Sequence, residues 1–114
     1  MLTKINPISN LTRTDNTYNY PIENSLCNYN ETGHVGVSKH YITTFKWHDL
    51  KIAYFAVHLL AYPLQPDRCA KREAQAKIME QEIIKKVQEC YEILFIGDFN
   101  DYDRDILDLN NDKP

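Results

Sequence analysis

The 114-residue sequence predicts an α/β fold, a β-hairpin leading into a βαβ unit, and three observations predict it. Two nearly continuous apolar runs, Lys51 to Leu60 and Tyr91 to Ile96, are rich in β-branched and aromatic residues, the pattern of short strands buried on both faces. Between them, from about Cys69 to Cys90, apolar residues recur at helical spacing. The second run passes straight into Gly97-Asp98-Phe99-Asn100-Asp101, so an acidic exit lies at a strand's carboxyl end, the edge where open α/β sheets bind ligands.

Composition sets the outer limits. With 43% hydrophobic and 25% charged residues in 114 positions, the chain reads as one ordinary globular domain at most. A formal net charge of -3 argues against a non-specific nucleic-acid binder, so a nucleic-acid partner would have to be held by a local site. No apolar run is long enough to span a bilayer, and the N-terminus lacks a basic segment followed by an apolar core, so neither a transmembrane segment nor a signal peptide is expected. Cys27, Cys69 and Cys90 form no Cys-x-x-Cys pair, which argues against zinc and allows at most one disulfide plus a free thiol.

Residues 1–34 are dense in Asn, Thr, Ser and Tyr, with Asn6, Asn10, Asn16, Asn19, Asn24, Asn28 and Asn30, and are predicted to be loop. Asn6-Pro7 and Tyr20-Pro21 disfavour helix before each proline. Two glycosylation sequons, Asn10-Leu11-Thr12 and Asn30-Glu31-Thr32, together with Cys27 and Cys69, give secretion as one reading of localisation, without a signal peptide to support it.

From Gly33 to Phe45 the chain turns to Val, Ile, Thr, Tyr and Phe and predicts a strand. Trp47-His48-Asp49-Leu50 is the turn, and Lys51 to Leu60 is the second and central strand of the hairpin. Alternation puts Ile52, Tyr54, Ala56 and His58 on one face and Ala53, Phe55, Val57 and Leu59 on the other. Considered by itself, His58 is the kind of histidine that more often fills a core. The two-proline stretch Ala61 to Arg68 reads as loop. In the helix, Ala76, Met79, Ile83, Val87 and Cys90 are expected on one buried stripe, with Glu73–Lys77 and Glu82–Lys86 as i,i+4 pairs. Strand, helix and strand make a βαβ unit with a right-handed crossover.

That topology brings the chemistry together. Parallel neighbouring strands lie about 4.8 Å apart with their carboxyl ends on one edge, so His58, Asp98 and Asn100 can converge on one ligand. Asp98 and Asn100 offer hard oxygen donors and an amide, suited to a metal ion or a phosphate; the alternative is that they simply turn the chain. Other chemistries fail. The chain has no Walker, dinucleotide or nucleophile-elbow motif, and a calcium loop opening at Asp98 breaks down at Tyr102, Asp103 and Leu109. Of the remaining acids, Asp101, Asp103, Asp105, Asp108 and Asp112, most read as a solvated turn, with Asp101 or Asp103 the ones placed to assist.

Val57-His58-Leu59, then Arg72-Glu73-Ala74-Gln75 at a helix start, then Ile96-Gly97-Asp98-Phe99-Asn100-Asp101 resembles the middle of the endonuclease/exonuclease/phosphatase superfamily, the fold of deoxyribonuclease I. The resemblance covers about Gly36 to Asp103. It implies part of a four-layer α/β/β/α sandwich and a Mg²⁺-dependent phosphodiesterase or phosphatase, with Mn²⁺ or Ca²⁺ as alternatives. It also implies a phosphate-ester substrate, nucleic acid foremost, and names no protein partner. By the same resemblance His58 is the phosphate-contacting acid/base, Asp98 positions nucleophile, leaving group or metal, and Asn100 orients the phosphate or attacking water. Asp98 and Asn100 are the implied metal ligands, while Arg72 and Gln75 are structural.

Two family parts are missing from the pattern. The Glu-bearing early strand has no counterpart in residues 1–34, and the late Asp-His pair would fall beyond Pro114. The expectation is therefore a loop region, 1–34, followed by the incomplete central part of the domain, 35–114, inactive by itself. The competing expectation is a non-catalytic binding or interaction module built on the same central motif.

Overall fold

The computed structural model describes residues 11–62 and 64–100. Among them the chain is of mixed α/β type, with two sheets and one helix. The elements are β1 (Thr17–Tyr20), β2 (Gly33–Gly36), β3 (Lys39–Trp47), β4 (Leu50–His58), α1 (Pro66–Gln88) and β5 (Glu92–Asp98). The main sheet has the order β3-β4-β5, with β3 antiparallel and β5 parallel to the central β4. The expected hairpin and βαβ unit are thus both present. The turn at His48 and Asp49, where His48 takes a φ of 54°, fixes the hairpin register from Trp47↔Leu50 through to Lys39↔His58.

Five expectations are corrected. Residues 1–34 are not all loop, because Thr17–Tyr20 pairs antiparallel with Gly33–Gly36 in a separate two-stranded sheet. Its alternating Thr-Tyr-Asn-Tyr half-buries Tyr18 and Tyr20, a signal too short to stand out from an Asn-rich background. The single strand expected over Gly33 to Phe45 is two strands in different sheets, broken at Val37-Ser38.

The helix starts earlier than expected, since Pro66 occupies the first helical turn, where its missing N–H breaks no bond. It ends in a Schellman arrangement: Cys90, at φ 68°, donates its N–H to Val87 O, and Tyr91 donates to Lys86 O. Cys90 therefore caps the helix and is exposed instead of lying on a buried stripe.

The buried side of α1 is Ala70, Arg72, Ala74, Gln75, Ile78 and Met79. Of the expected stripe only Met79 is buried, Ile83 is half-buried, and Ala76 and Val87 are exposed. The reason is that α1 packs against β1 and β2 as well as β5, and small alanines let the backbones approach. The expected i,i+4 ion pairs are also replaced. Glu73 instead accepts hydrogen bonds from Ser25 Oγ and the Leu26 N–H, Lys77 pairs with Glu80, and Lys85 and Lys86 pair with Glu82 and Glu89.

The core consists of two clusters on the helix side of the main sheet. One holds Val37, Val57, Leu59, Ile78 and Met79, the other Ile42, Ala53 and Phe55, and Phe95 packs against both. A Cys27–Cys69 disulfide, Cα–Cα 5.8 Å, fastens the β1–β2 connection to the start of α1, leaving Cys90 as the free thiol. Among the described residues no helix is long and apolar enough to cross a membrane.

Candidate functional site

β4 ends on His58 and β5 ends on Asp98, and the two residues are register partners. Nε2 of His58 lies 3.8 Å from Oδ2 of Asp98. On the other side of β4, His58 is paired with Lys39. Lys39, His58 and Asp98 thus form one row across three strands, on the sheet face opposite the core. The next row on that face is Tyr41, Ala56 and Ile96. The side chains of His58 and Asp98 are 47% and 63% exposed, so their contact adds little to stability, and their closeness is of interest for chemistry.

Backbone geometry holds the third residue. The Leu59 N–H donates to the Asp98 carbonyl at 2.9 Å, extending the ladder one step past the strands. Asn100 then folds back: its N–H donates to Asp98 Oδ1 at 2.9 Å, and its Nδ2 donates to the Leu59 carbonyl at 2.7 Å. This is an Asx turn with Asn100 at φ 49°, a conformation Asn tolerates better than most residues. Gly97 makes the approach possible, because at φ 145° a Cβ there would collide with the Val57 carbonyl. The sequence-predicted trio is therefore one constellation: His58 faces one oxygen of Asp98 while Asn100 engages the other.

Arg72 and Gln75 have structural contacts. Arg72 donates to the carbonyls of Leu60, Ala61 and Tyr62, and Gln75 accepts from the Leu60 N–H at 2.9 Å while donating to the Gly36 carbonyl at 3.1 Å. Together they fix the chain as it leaves His58.

A cavity of about 430 Å³ opens beside Lys39 and His58, lined also by Arg13, Tyr41, Ile96 and Gly97, with Asp98 and Asn100 outside its lining. Two basic side chains, Arg13 and Lys39, therefore line the cavity together with the histidine, and sequence reasoning missed both. Lys39 was within reach, since pairing Trp47 with Leu50 across the turn also pairs Lys39 with His58. Arg13 carries no such signal. It arrives through the Thr12–Ile42 bridge and the hydrogen bond from its guanidinium to the Ser38 carbonyl. A larger cavity, about 600 Å³, lies between α1 and β5. It is mostly apolar, and none of His58, Asp98 and Asn100 lines it, so the smaller one, which His58 lines, is the candidate site.

His40 lies under the same edge but faces the core. It is buried, and its Nε2 accepts the Thr14 N–H at 2.8 Å, which requires that nitrogen to be unprotonated. Nδ1 has no hydrogen-bond partner. Burial holds the imidazole's pKa below the usual histidine range; the nearby Val37 backbone opposes the shift without meeting hydrogen-bond geometry at Nδ1.

The donor set can be tested against a divalent cation. Asp98 is an exposed carboxylate and Asn100 a carboxamide whose Oδ1 is not engaged by its bond to Leu59, so both donors are hard oxygens. Mg²⁺ commonly takes one or two carboxylates and completes its shell with waters and substrate phosphate, a requirement these two residues fit. Among the described residues no group of three or more His, Cys, Asp or Glu converges. Asp101, Asp103, Asp105, Asp108, Asp112 and the sequon asparagine Asn10 lie outside the described residues.

Comparison with protein-family models, with curated proteins and with solved structures returns no match.

Proposed function

We propose that the chain is the central part of a Mg²⁺-dependent phosphoric ester hydrolase of the endonuclease/exonuclease/phosphatase type, acting as a nuclease-like phosphodiesterase within a deoxyribonuclease I-like sandwich. The observation that carries this reading is the row Lys39–His58–Asp98, with Asn100 tied back onto it. The cations Arg13 and Lys39 attract an anionic ester into the cavity they border. His58 then lies within reach of a phosphate oxygen and moves a proton to or from it, while Asp98 orients the imidazole or the attacking water. Asn100 has a second amide hydrogen beyond the one given to Leu59, a donor for charge developing at phosphorus. Asp98 and Asn100 would hold Mg²⁺, with Mn²⁺ or Ca²⁺ as alternatives, and the bound ion would neutralise phosphate charge.

The test is hydrolysis of a phosphodiester by the protein that contains this chain. Turnover is expected to need Mg²⁺ or Mn²⁺, to stop with chelator, and to fall by about 10²-fold or more on His58→Ala or Asp98→Ala. Asn100→Ala is expected to act on kcat far more than on KM. Chelator-resistant turnover, or full turnover with both His58 and Asp98 replaced, contradicts the reading.

A second reading rests on a different observation. Tyr41, Leu94 and Ile96 are 54%, 46% and 42% exposed on the sheet face opposite α1, as an interaction module would present them. On that reading the chain self-associates or binds a partner and hydrolyses nothing. Turnover separates the cases: full phosphodiester hydrolysis after replacing both His58 and Asp98, or none with Mg²⁺ or Mn²⁺ in the protein that contains this chain, favours the module, whereas self-association of residues 1–114 alone is expected on either reading.

A further inference from the structure

We propose that Asn30 carries an N-linked glycan and that the chain matures in an oxidising secretory lumen. This inference is independent of the hydrolase reading. Three observations carry it. Asn30-Glu31-Thr32 supplies the amide and, two residues on, the hydroxyl that the transfer requires. Of the described asparagines, Asn16, Asn19, Asn24, Asn28, Asn30 and Asn100, only Asn30 stands in such a triplet.

The second observation is where the fold puts that triplet. It lies in the irregular connection between β1 and β2, and Asn30, Glu31 and Thr32 are all exposed. The neighbouring side chain goes the other way. Tyr29 is half-buried, its ring 6.4 Å from that of Tyr20, and its hydroxyl donates to Glu31. With Tyr29 anchored, Asn30 projects to solvent, where a bulky polar group displaces no packing.

The third is the Cys27–Cys69 disulfide, whose nearer cysteine precedes Asn30 by three residues. Disulfides persist in oxidising compartments and are rare where thiols are kept reduced. The compartment that oxidises Cys27 and Cys69 is also the one in which sequons are modified, so two chemically unrelated features of one loop point to the same place.

The step balances without redox chemistry. The Asn30 Nδ2 forms a bond to the anomeric carbon of an oligosaccharide carried on a lipid pyrophosphate. The carbon–oxygen bond to that carrier breaks, the lipid pyrophosphate leaves with the electron pair, and one amide proton passes to the transferase. The disulfide is a separate two-electron oxidation of two thiols by a disulfide donor of the lumen.

The test uses the protein isolated from the cells that make it, digested with trypsin without reduction. The peptide of residues 14–39 should be joined to that beginning at Cys69, and treatment with a glycan-removing amidase in heavy-oxygen water should convert Asn30 to a labelled Asp. Thr32→Ala should abolish the label with Asn30 still present, and Thr32→Ser should retain it. An unlabelled Asn30, free thiols at Cys27 and Cys69, or a label that survives Thr32→Ala would each overturn the proposal.

Discussion

The two faces of the β3-β4-β5 sheet are built from the same three strands and differ sharply in burial. On the helix side, Ala53 and Phe55 are fully buried and Ile42 and Val57 nearly so. On the opposite side, the same strands present Tyr41, Leu94 and Ile96 half-exposed, and at the carboxyl edge Lys39, His58 and Asp98. Period-two alternation is the cause, since one register assigns every second residue to packing and every other to the open face. Stability therefore resides on one face and the candidate chemistry on the other, and substitutions that respect the division should change one property without the other.

The largest effect is expected at Phe55. Phe55→Ala removes a fully buried ring that contacts Phe95 at 5.9 Å between centroids, and by general experience costs about 3–5 kcal/mol, a large share of a small domain's stability. A denaturant midpoint unchanged by this substitution would erase the distinction between the faces.

The disulfide comes next. Cys27 and Cys69 are 42 residues apart, for which the loop-entropy relation gives up to about 4 kcal/mol. Paired Cys→Ser substitution should lower the thermal midpoint to the value seen in reductant, and an unmoved midpoint would mean that the β1–β2 connection adds nothing to the helix side.

A smaller effect should follow pH. His40 is buried with its pKa lowered by burial; Arg13 lowers it further, while Glu82 and Asp15 raise it. Because the folded pKa lies below the unfolded one, the unfolded chain takes up its proton first as pH falls. This contribution is complete above about pH 6.5, declines below it, and levels off once pH passes beneath the folded value. His40→Gln should flatten that part of the stability profile, and a profile that keeps its slope would assign it to another group.

The smallest effect is expected on the open face. Leu94→Ala should move the denaturant midpoint by about 0.5 kcal/mol or less, in contrast to Phe55→Ala. A loss as large as that at Phe55 would show that the face is covered in solution.

How much of this was legible depended on the range of the signal. Continuous apolar runs around Phe55 and Phe95 and the helical spacing between them suffice for the hairpin and βαβ unit, and hence for the meeting of His58 with Asp98. The buried side of α1 was misread because its contacts rely on Ala70 and Ala74 and on polar Arg72 and Gln75, which a search for large apolar residues passes over. β1 was missed because four residues in an Asn-rich segment acquire a face only by pairing with β2. Lys39 could have been found by counting back from the His48–Asp49 turn, whereas Arg13 reaches the cavity through long-range contacts that no local pattern announces.

The proposed action of His58 and Asp98 as one unit on a phosphate ester is tested by a double-mutant cycle in kcat/KM. With His58→Ala, Asp98→Ala and the double variant compared on one phosphodiester, each single change is expected to lose about 10²-fold. The double should lose little more, with the thermal midpoint unchanged because both side chains are exposed. Losses that multiply to about 10⁴-fold, or that track a falling midpoint, would contradict the account.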